Sequence, residues 1–506
     1  MKTHLLTFFN HLKISGMNAN KVVCLWAVFS VLVACARKEV TTTAKADHPN
    51  IVLIFMDDLG YGDLSAYGAI GYTTPNLDRM AAEGMRFTDF HAATAVCSAS
   101  RAAILTGCYP DRVSVFGAYM PDAKEALHPN EVTIAEVAKS QDYKTAMFGK
   151  WHLGNTWETL PLSQGFDEYV GLPYSNDMWP VYYDGMPATE ENCKTNPWKI
   201  NMPELPLIEG YEKIRGIKSL DDQGILTTTY TERAVNFIQK NKNQPFFLYV
   251  AHSMPHVPLG VSEKFKGKSQ RGLFGDVMME IDWSVGEILK ALKKEGLDDN
   301  TMVVFTSDNG PWLNYGNHAG STAGLREGKG AMWEGGHRVP CIMRWPGKIN
   351  AGQVSSELMI TMDLFPTFTK LMGGSLPANK IDGIDMSPLI FQGKASPRDE
   401  FWGYYGGELV FVRKGKYKLT LPHAYRTYLD NPTGNDGFPG ALSSRKAGIE
   451  LYDLEMDPYE KTDIASSHPE LVVQMMAIAN VAREDLGDRI TKVVGKGVRA
   501  PWKIDL

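Results

Sequence analysis

The chain has 506 residues, 44% of them apolar and 22% charged, a composition that builds one large globular domain plus a smaller one and excludes a mainly disordered chain. Its formal net charge is −6, so it lacks the broad positive field that binds nucleic acid, and an anionic ligand would need a local cationic pocket. Beyond the N-terminal region, Cys97, Cys108, Cys193 and Cys341 form no C-x-x-C pair and no regular spacing, which argues against a disulfide framework or a zinc ribbon.

In chain order, an apolar run over 22–34 follows Lys21; it is too short to span a bilayer and suits the core of a signal peptide. It ends Leu32-Val33-Ala34-Cys35, which resembles a bacterial lipoprotein cleavage box. The expectation is a lipoprotein signal peptide over 1–35, a lipidated Cys35 that anchors the exported chain to a membrane of the cell envelope, and a polar tether over 36–47. A plain signal peptide with an incidental cysteine is the alternative.

Short apolar runs over 51–56, 145–148, 246–251 and 302–306 read as buried strands. Helical patterns lie between them, over 76–83, 133–139, 229–239 and 274–294. Strands alternating with helices predict an α/β sheet with helices on both faces. Polar residues follow each strand: Asp57 and Asp58, Lys150 and His152, His252 and His256, Asp308 and Asn309. Ligand crevices in such sheets lie outside the carboxyl ends of the strands, so these residues are expected to converge. Residues 173–211 read as a long excursion near that crevice. After 400 the pattern changes to short β-like pieces over 401–405, 409–412 and 417–421 and a helix over 470–482. The expected division is a main domain over 48–400 and a smaller C-terminal α+β domain over 401–506.

The most specific string runs from Cys97-Ser98-Ala99-Ser100-Arg101 to Leu105-Thr106-Gly107. It reads as a helix entered at Cys97, with small polar residues able to cap its first turn and Gly107 suited to its end. The helix start favours an anion beside Cys97; taken alone, a buried structural cysteine is the other reading. Asp57, Asp58, Asp308 and Asn309 offer only oxygen ligands, which suits a hard cation such as calcium better than zinc, although paired Asp residues at strand ends also serve as loop caps.

With Asp57-Asp58-Leu59-Gly60, Gly149-Lys150-Trp151-His152, Pro255-His256-Val257-Pro258, Ser307-Asp308-Asn309-Gly310 and Gly328-Lys329 through Trp333-Glu334-Gly335-Gly336, the chain resembles the type I sulfatases. Its nearest look is to their arylsulfatase A and N-acetylgalactosamine-6-sulfatase branch. The resemblance implies the alkaline-phosphatase-like fold, a large mixed sheet flanked by helices, with a short antiparallel sheet in the C-terminal part. It also implies that Cys97 becomes formylglycine through a maturation enzyme, and that one calcium ion is held by Asp57, Asp58, Asp308, Asn309 and the oxidised Cys97. Arg101 would hold the formylglycine, Lys150 and Lys329 the sulfate oxygens. His256 would assist the leaving alcohol, and His152 would take a proton from the diol so that sulfate is expelled. Ala99 stands where many members have Pro, which leaves the maturation enzyme open.

His252 reads as structural, and His318 and His337 carry no assigned role. His423 and Arg426 are candidates for recognising the organic part of the substrate. Trp179, Tyr182 and Tyr183 could stack on a sugar or fill a core. The expected substrate is a sulfated carbohydrate, galactose or N-acetylgalactosamine sulfates of glycans. Two alternatives stand beside it: a phosphatase or phosphonate monoester hydrolase of the same superfamily, and an inactive glycan-binding lipoprotein.

Overall fold

A computed structural model describes residues 48–194 and 196–504. The expected signal segment, the tether and Cys35 lie outside the described residues.

One sheet is built from β1 (Asn50–Met56), β2 (Met85–Phe87), β3 (Lys144–Lys150), β4 (Glu168–Leu172), β5 (Leu205–Glu209), β6 (Glu212–Ile217), β7 (Phe246–Ala251), β8 (Thr301–Ser307), β9 (Cys341–Arg344) and β10 (Gln353–Ser355). Their spatial order is β10-β2-β9-β8-β1-β7-β3-β4-β5-β6. The middle is parallel, from β8 through β1, β7 and β3 to β4. Antiparallel pairings begin at β9 on one side and β5 on the other, so the sheet is mixed, as expected.

β1 shows why the middle strands read as unbroken apolar runs. Its residues are all buried, with Ile51, Leu53 and Phe55 on one face and Val52, Ile54 and Met56 on the other. Each such side chain contributes roughly 1.5–3 kcal/mol by leaving water. The helices that cover the sheet are α1 (Pro75–Ala82), α2 (Cys97–Thr106), α3 (Ile134–Ser140), α4 (Leu226–Lys240), α5 (Leu273–Lys294) and α6 (Leu364–Leu371). The first face packs on α2, α3 and α6 through Ile104, Val137 and Phe368. The second packs on α1, α4 and α5 through Met80, Phe237 and Ile281.

The C-terminal sheet is antiparallel and made of β11 (Glu400–Tyr405), β12 (Glu408–Lys414), β13 (Tyr417–Thr420) and β16 (Glu450–Asp453), with a hairpin of β14 (His423–Thr427) and β15 (Ser443–Ala447) inserted before the last strand. Helix α7 (Pro469–Leu486) covers it. Ala93, Ala95, Ala103 and Tyr109 belong to the same apolar layer as Phe401, Tyr404 and Leu419, so this sheet shares a core with the start of α2.

Two expectations are corrected. The excursion over 173–211 is not irregular throughout, because β5 lies in it and pairs with β6 as a hairpin on the sheet edge. The small polar residues do not cap α2 with their side chains: Val96 precedes the helix, Ser98 Oγ accepts instead from Tyr119 N at 3.0 Å, and Ala99 N donates to Gly117 O at 3.2 Å. The far end is as expected, since Gly107 closes the helix at φ 70° and donates to Ala103 O at 2.9 Å.

Candidate active site

The carboxyl ends of β1, β3, β7 and β8 lie side by side because these strands are parallel neighbours, and the polar residues that follow them meet there. Lys150 Nζ donates to Asp57 Oδ2 at 2.6 Å and to Ser175 Oγ at 3.1 Å. Asp58 N donates to Asp308 Oδ1 at 3.1 Å, and Asn309 Nδ2 donates to Asp58 Oδ1 at 2.7 Å. Lys329, delivered by the loop after 318, lies 2.7 Å from Asp58 Oδ1 and 2.9 Å from Oδ2.

Helix α2 is buried along its whole length, and its alanines and serines make that close approach to the sheet feasible. Arg101, on the first turn after Cys97, donates through Nη2 and Nε to Asp308 Oδ2 at 2.8 and 3.1 Å and through Nη1 to Lys150 O at 2.8 Å. Asp58 and His152 hold φ of 64° and 63°, a left-handed conformation that costs a residue with a side chain about 1–3 kcal/mol and that clusters at functional sites.

Electrostatics define what the cluster can hold. Three buried carboxylates, Asp57, Asp58 and Asp308, face three buried cations, Arg101, Lys150 and Lys329. Burial pushes the Asp57 carboxyl up, but Lys150, His256, Arg101 and Lys329 together outweigh it and hold Asp57 well below the usual range. Burial, reinforced by Asp57, pushes Asp308 up to about 7 despite Arg101. Asp57 Oδ1 and Asn309 Oδ1 are buried with no hydrogen-bond partner, and buried acceptors are costly to leave so. Two partnerless oxygens amid further carboxylates fit a hard divalent cation. Asp57, Asp58 and His256 also offer ligand atoms within 4.8 Å of one another. The all-oxygen set fits better, because it alone includes both partnerless oxygens, Asp57 Oδ1 and Asn309 Oδ1.

The titrating groups are each fixed in one tautomer by a carbonyl, which can only accept. His152 Nε2 lies 2.8 Å from Tyr119 O, so Nε2 carries the proton and the partnerless Nδ1 carries the lone pair. His256 Nδ1 lies 2.5 Å from Val257 O, which leaves Nε2, 3.6 Å from Asp58 Oδ2, facing the cluster. Burial, with Lys150 and Arg101, holds His152 well below the ordinary imidazole value; burial and Lys329 lower His256. Burial pushes the Cys97 thiol up despite Lys150 and Lys329.

The other candidates separate by position. His252 is buried 3.1 Å from Ser284 Oγ and is held neutral by burial, with its pKa pushed down to about 3. His337 lies 3.0 Å from His91, nitrogen to nitrogen, outside the cluster. His318 packs near Gly437. Trp179 is buried in the core, whereas Tyr182 and Tyr183 pack with Phe438. His423 does not reach the cluster; it donates from Nδ1 to Leu421 O at 2.7 Å and lines a cavity of about 330 Å³ with Gly330 and Arg426. Arg426 is nearer, with its guanidinium 5.9 Å from the Trp312 ring centroid.

Four residues at the site escaped sequence reasoning. They are Ser175, which bonds Lys150, Tyr428, whose hydroxyl donates to Lys329 O, Asp177, and Trp312, which has Lys329 Nζ 4.6 Å from its ring centroid. The one signal was that Ser175 and Asp177 fall in the excursion expected near the crevice.

A doubly covered α/β sheet whose central strand ends gather carboxylates, cations and histidines around a buried helix start is the framework of a hydrolase acting on an anionic ester. The sulfatase family matches residues 49–375, and the chain belongs to it; its members hydrolyse sulfuric esters. It is 38% identical to arylsulfatase A of Homo sapiens over 467 residues, covering 88% of this chain and 90% of that one. With N-acetylgalactosamine-6-sulfatase of Mus musculus it shares 39% over 411 residues, 78% of this chain and 75% of the other. Among solved structures, the PsFucS1 sulfatase from Pseudoalteromonas sp. superposes with a TM-score of 0.77 at 28% identity, over 92% of this chain and 94% of that one.

Proposed function

We propose that this chain hydrolyses sulfate monoesters of carbohydrates, galactose or N-acetylgalactosamine sulfates of glycans foremost. In this reading a maturation enzyme converts Cys97 to formylglycine, and Asp57, Asp58, Asp308, Asn309 and the converted residue 97 hold one calcium ion. The observation that carries the reading is the burial of Cys97 at the start of α2, a helix that Arg101 ties to Asp308 and to the Lys150 backbone, with the charges of Lys150, Lys329, Asp57 and Asp308 acting on its thiol. A buried thiol with a raised pKa is a poor nucleophile, which supports conversion rather than thiolate attack.

The hydrated aldehyde supplies two hydroxyls on one carbon, one to take up the sulfuryl group and one whose deprotonation expels it. When bound, calcium supplies a Lewis acid for the sulfuryl oxygens. The chain's own residues do the rest. Lys150 Nζ and Lys329 Nζ hold sulfuryl oxygens, and such fixed charges are worth more here than in water because the site is buried. Arg101 fixes the relation of α2 to Asp308 and to the Lys150 backbone. Lys329 Nζ, which carries protons, assists the leaving oxygen together with His256, whose Nε2 donates only once the ring has taken up a second proton, and His152 Nδ1 is free to accept the proton of the second hydroxyl.

The test combines mass spectrometry of the Cys97 peptide with turnover of an aryl sulfate and an aryl phosphate. The expected result is an aldehyde at position 97 and a strong preference for the sulfate. Chelation should abolish that turnover and calcium should restore it. Undiminished hydrolysis by Cys97→Ala would sink the proposal, and a preference for the phosphate would favour the phosphatase alternative.

We also propose export and lipid anchoring through Cys35, on the strength of the Leu32-Val33-Ala34-Cys35 sequence. Cys35→Ala should move the protein from the membrane fraction to the soluble one.

A further inference from the structure

The cavity of about 330 Å³ that Gly330 and Arg426 line holds a cation the mechanism above does not use. Gly330 ties this cavity to the active site: its N donates to Ala95 O at 2.9 Å, so the wall joins the residue after Lys329 to the segment that leads into Cys97. Arg426 reaches over that glycine. A side-chain carbon added to Gly330 would sit 3.0 Å from Arg426 Nη1 and 3.3 Å from the Tyr405 hydroxyl oxygen. The guanidinium carbon lies 5.9 Å from the Trp312 ring centroid, and Lys329 Nζ lies 4.6 Å from the same centroid. By distance, Arg426 is a neighbour of the lysine assigned to the sulfuryl group.

What Arg426 lacks is a counterion. Arg101, Lys150 and Lys329 each have a carboxylate oxygen at 2.6 to 2.8 Å. On the hairpin that carries Arg426, Arg445 is paired with Asp430, and on β12 Arg413 is paired with Asp89. Arg426 is half-buried on β14 opposite Ser444, and among the described residues it forms no ion pair. The cavity lining includes Met332, Tyr405, His423 and Ser444 but no Asp or Glu, and the polar groups that bear on the guanidinium are phenols, those of Tyr428, Tyr405 and Tyr315. Charges withdrawn from water are ordinarily paired. A guanidinium presents its donors as a planar fork that fits two oxygens of a carboxylate or a sulfate, and the space in front of this one has the size of a small-molecule pocket.

We infer that Arg426 anchors a second anionic group of the substrate, a carboxylate or a further sulfate on its organic part, and that the preferred substrates are glycan fragments with at least one negative charge besides the scissile ester. The inference rests on the carbohydrate reading above and adds the charge of the sugar to it. The scissile sulfate is held by Lys150 and Lys329, whose charges are already matched by Asp57 and Asp58. Arg426 stands outside that balance, so the anion that pairs with it is a different one.

The experiment measures kcat/KM on an aryl sulfate and on three disaccharides built on the sugar sulfate that is turned over best, identical except that the second sugar is neutral, carries a carboxylate or carries a sulfate. In the wild type at least one charged disaccharide should exceed the neutral one by roughly 10–100-fold, the size of a hydrogen bond to a charged group, and which one does so identifies the anion. In Arg426→Gln the charged-to-neutral ratio should fall towards one. Arg426→Lys should keep part of the ratio, because the charge remains while the fork is lost. A wild-type ratio of about twofold or less for both charged disaccharides would overturn the inference without reference to any variant. So would an equal loss on all four esters in Arg426→Gln, which would mean that Arg426 serves the scissile sulfate or the fold. Wild-type turnover of the aryl ester with none of any sugar sulfate would instead overturn the carbohydrate reading itself.

Discussion

At the scale of single residues, Lys150 separates substrate binding from fold. Its ammonium is fully buried and tied to Asp57 and Ser175, so its removal both strips a sulfuryl contact and leaves Asp57 without its nearest cation. Lys150→Ala should lower kcat/KM by about 10³-fold, the size expected for one preorganised charge at a developing anion, and should cost about 3–5 kcal/mol of stability as a broken buried pair. Steady-state kinetics on an aryl sulfate and urea unfolding check the two halves; a loss of rate below about tenfold would remove Lys150 from the sulfuryl site. Gly107 gives a second residue-scale test. Its φ is 70°, and a methyl group added to its Cα would sit 2.9 Å from Cβ and Cγ of Phe365, which leaves no room for a side chain. Gly107→Ala should therefore lower stability by about 1–3 kcal/mol through strain and overpacking. Urea unfolding at constant m measures it.

At the scale of elements, the loop that presents Lys329 is held by the C-terminal sheet. Glu327 accepts from Thr427 Oγ1 at 2.8 Å and Tyr428 N at 2.9 Å. Lys418 on β13 reaches Met332 O at 3.0 Å, Glu334 Oε1 at 3.1 Å and Glu460 Oε1 at 2.7 Å. Glu334 N in turn donates to Glu460 Oε2 at 2.7 Å. Removing the shared cation would leave two buried carboxylates facing one another, so Lys418→Met should destabilise the fold by about 3–5 kcal/mol. It should also lower kcat well before unfolding, as the Lys329 loop loosens, and activity measured along a urea titration should fall ahead of the far-UV signal. Coincident curves would show that the loop is held by other contacts. The sequence revealed four of the five parallel middle strands and their terminal residues because each is a continuous apolar run ended by a polar or charged residue; β4 was missed. Strands of three residues such as β2 carry no readable period. The β5–β6 hairpin hides among the prolines and polar residues around it, with Glu212 to Arg215 exposed. Ser175, Asp177 and Trp312 were illegible for a related reason: no local pattern marks a loop residue that faces a site assembled from strands far away in sequence.

At the scale of the whole molecule, burying so many titratable groups makes stability depend on pH in two opposed ways. His252, pushed down to about 3 by burial, contributes stability that is complete above the ordinary 6.5 of the unfolded chain and is lost as pH falls towards 3. Asp63 and Asp111, each pushed up to about 7 by burial, work in the other direction. Between the ordinary 3.8 and about 7 the native Asp111 keeps a proton that the unfolded chain has released, so stability falls as pH rises through that window and is level above it. The Asp111 carboxyl feels burial, its own backbone and Arg489 rather than the groups of the cluster, and with Oδ1 buried and partnerless it serves to isolate this effect. Asp111→Asn removes the ionisation while keeping the shape. Its stability relative to wild type should therefore climb steadily between pH 4 and pH 7, by about 1.4 kcal/mol per pH unit and on the order of 3–4 kcal/mol in all. Comparing the two proteins by chemical denaturation at pH 4.5, 6 and 8 cancels every other titrating group. A difference that stays constant across those three conditions would show that Asp111 reaches water, or a cation, in the native state.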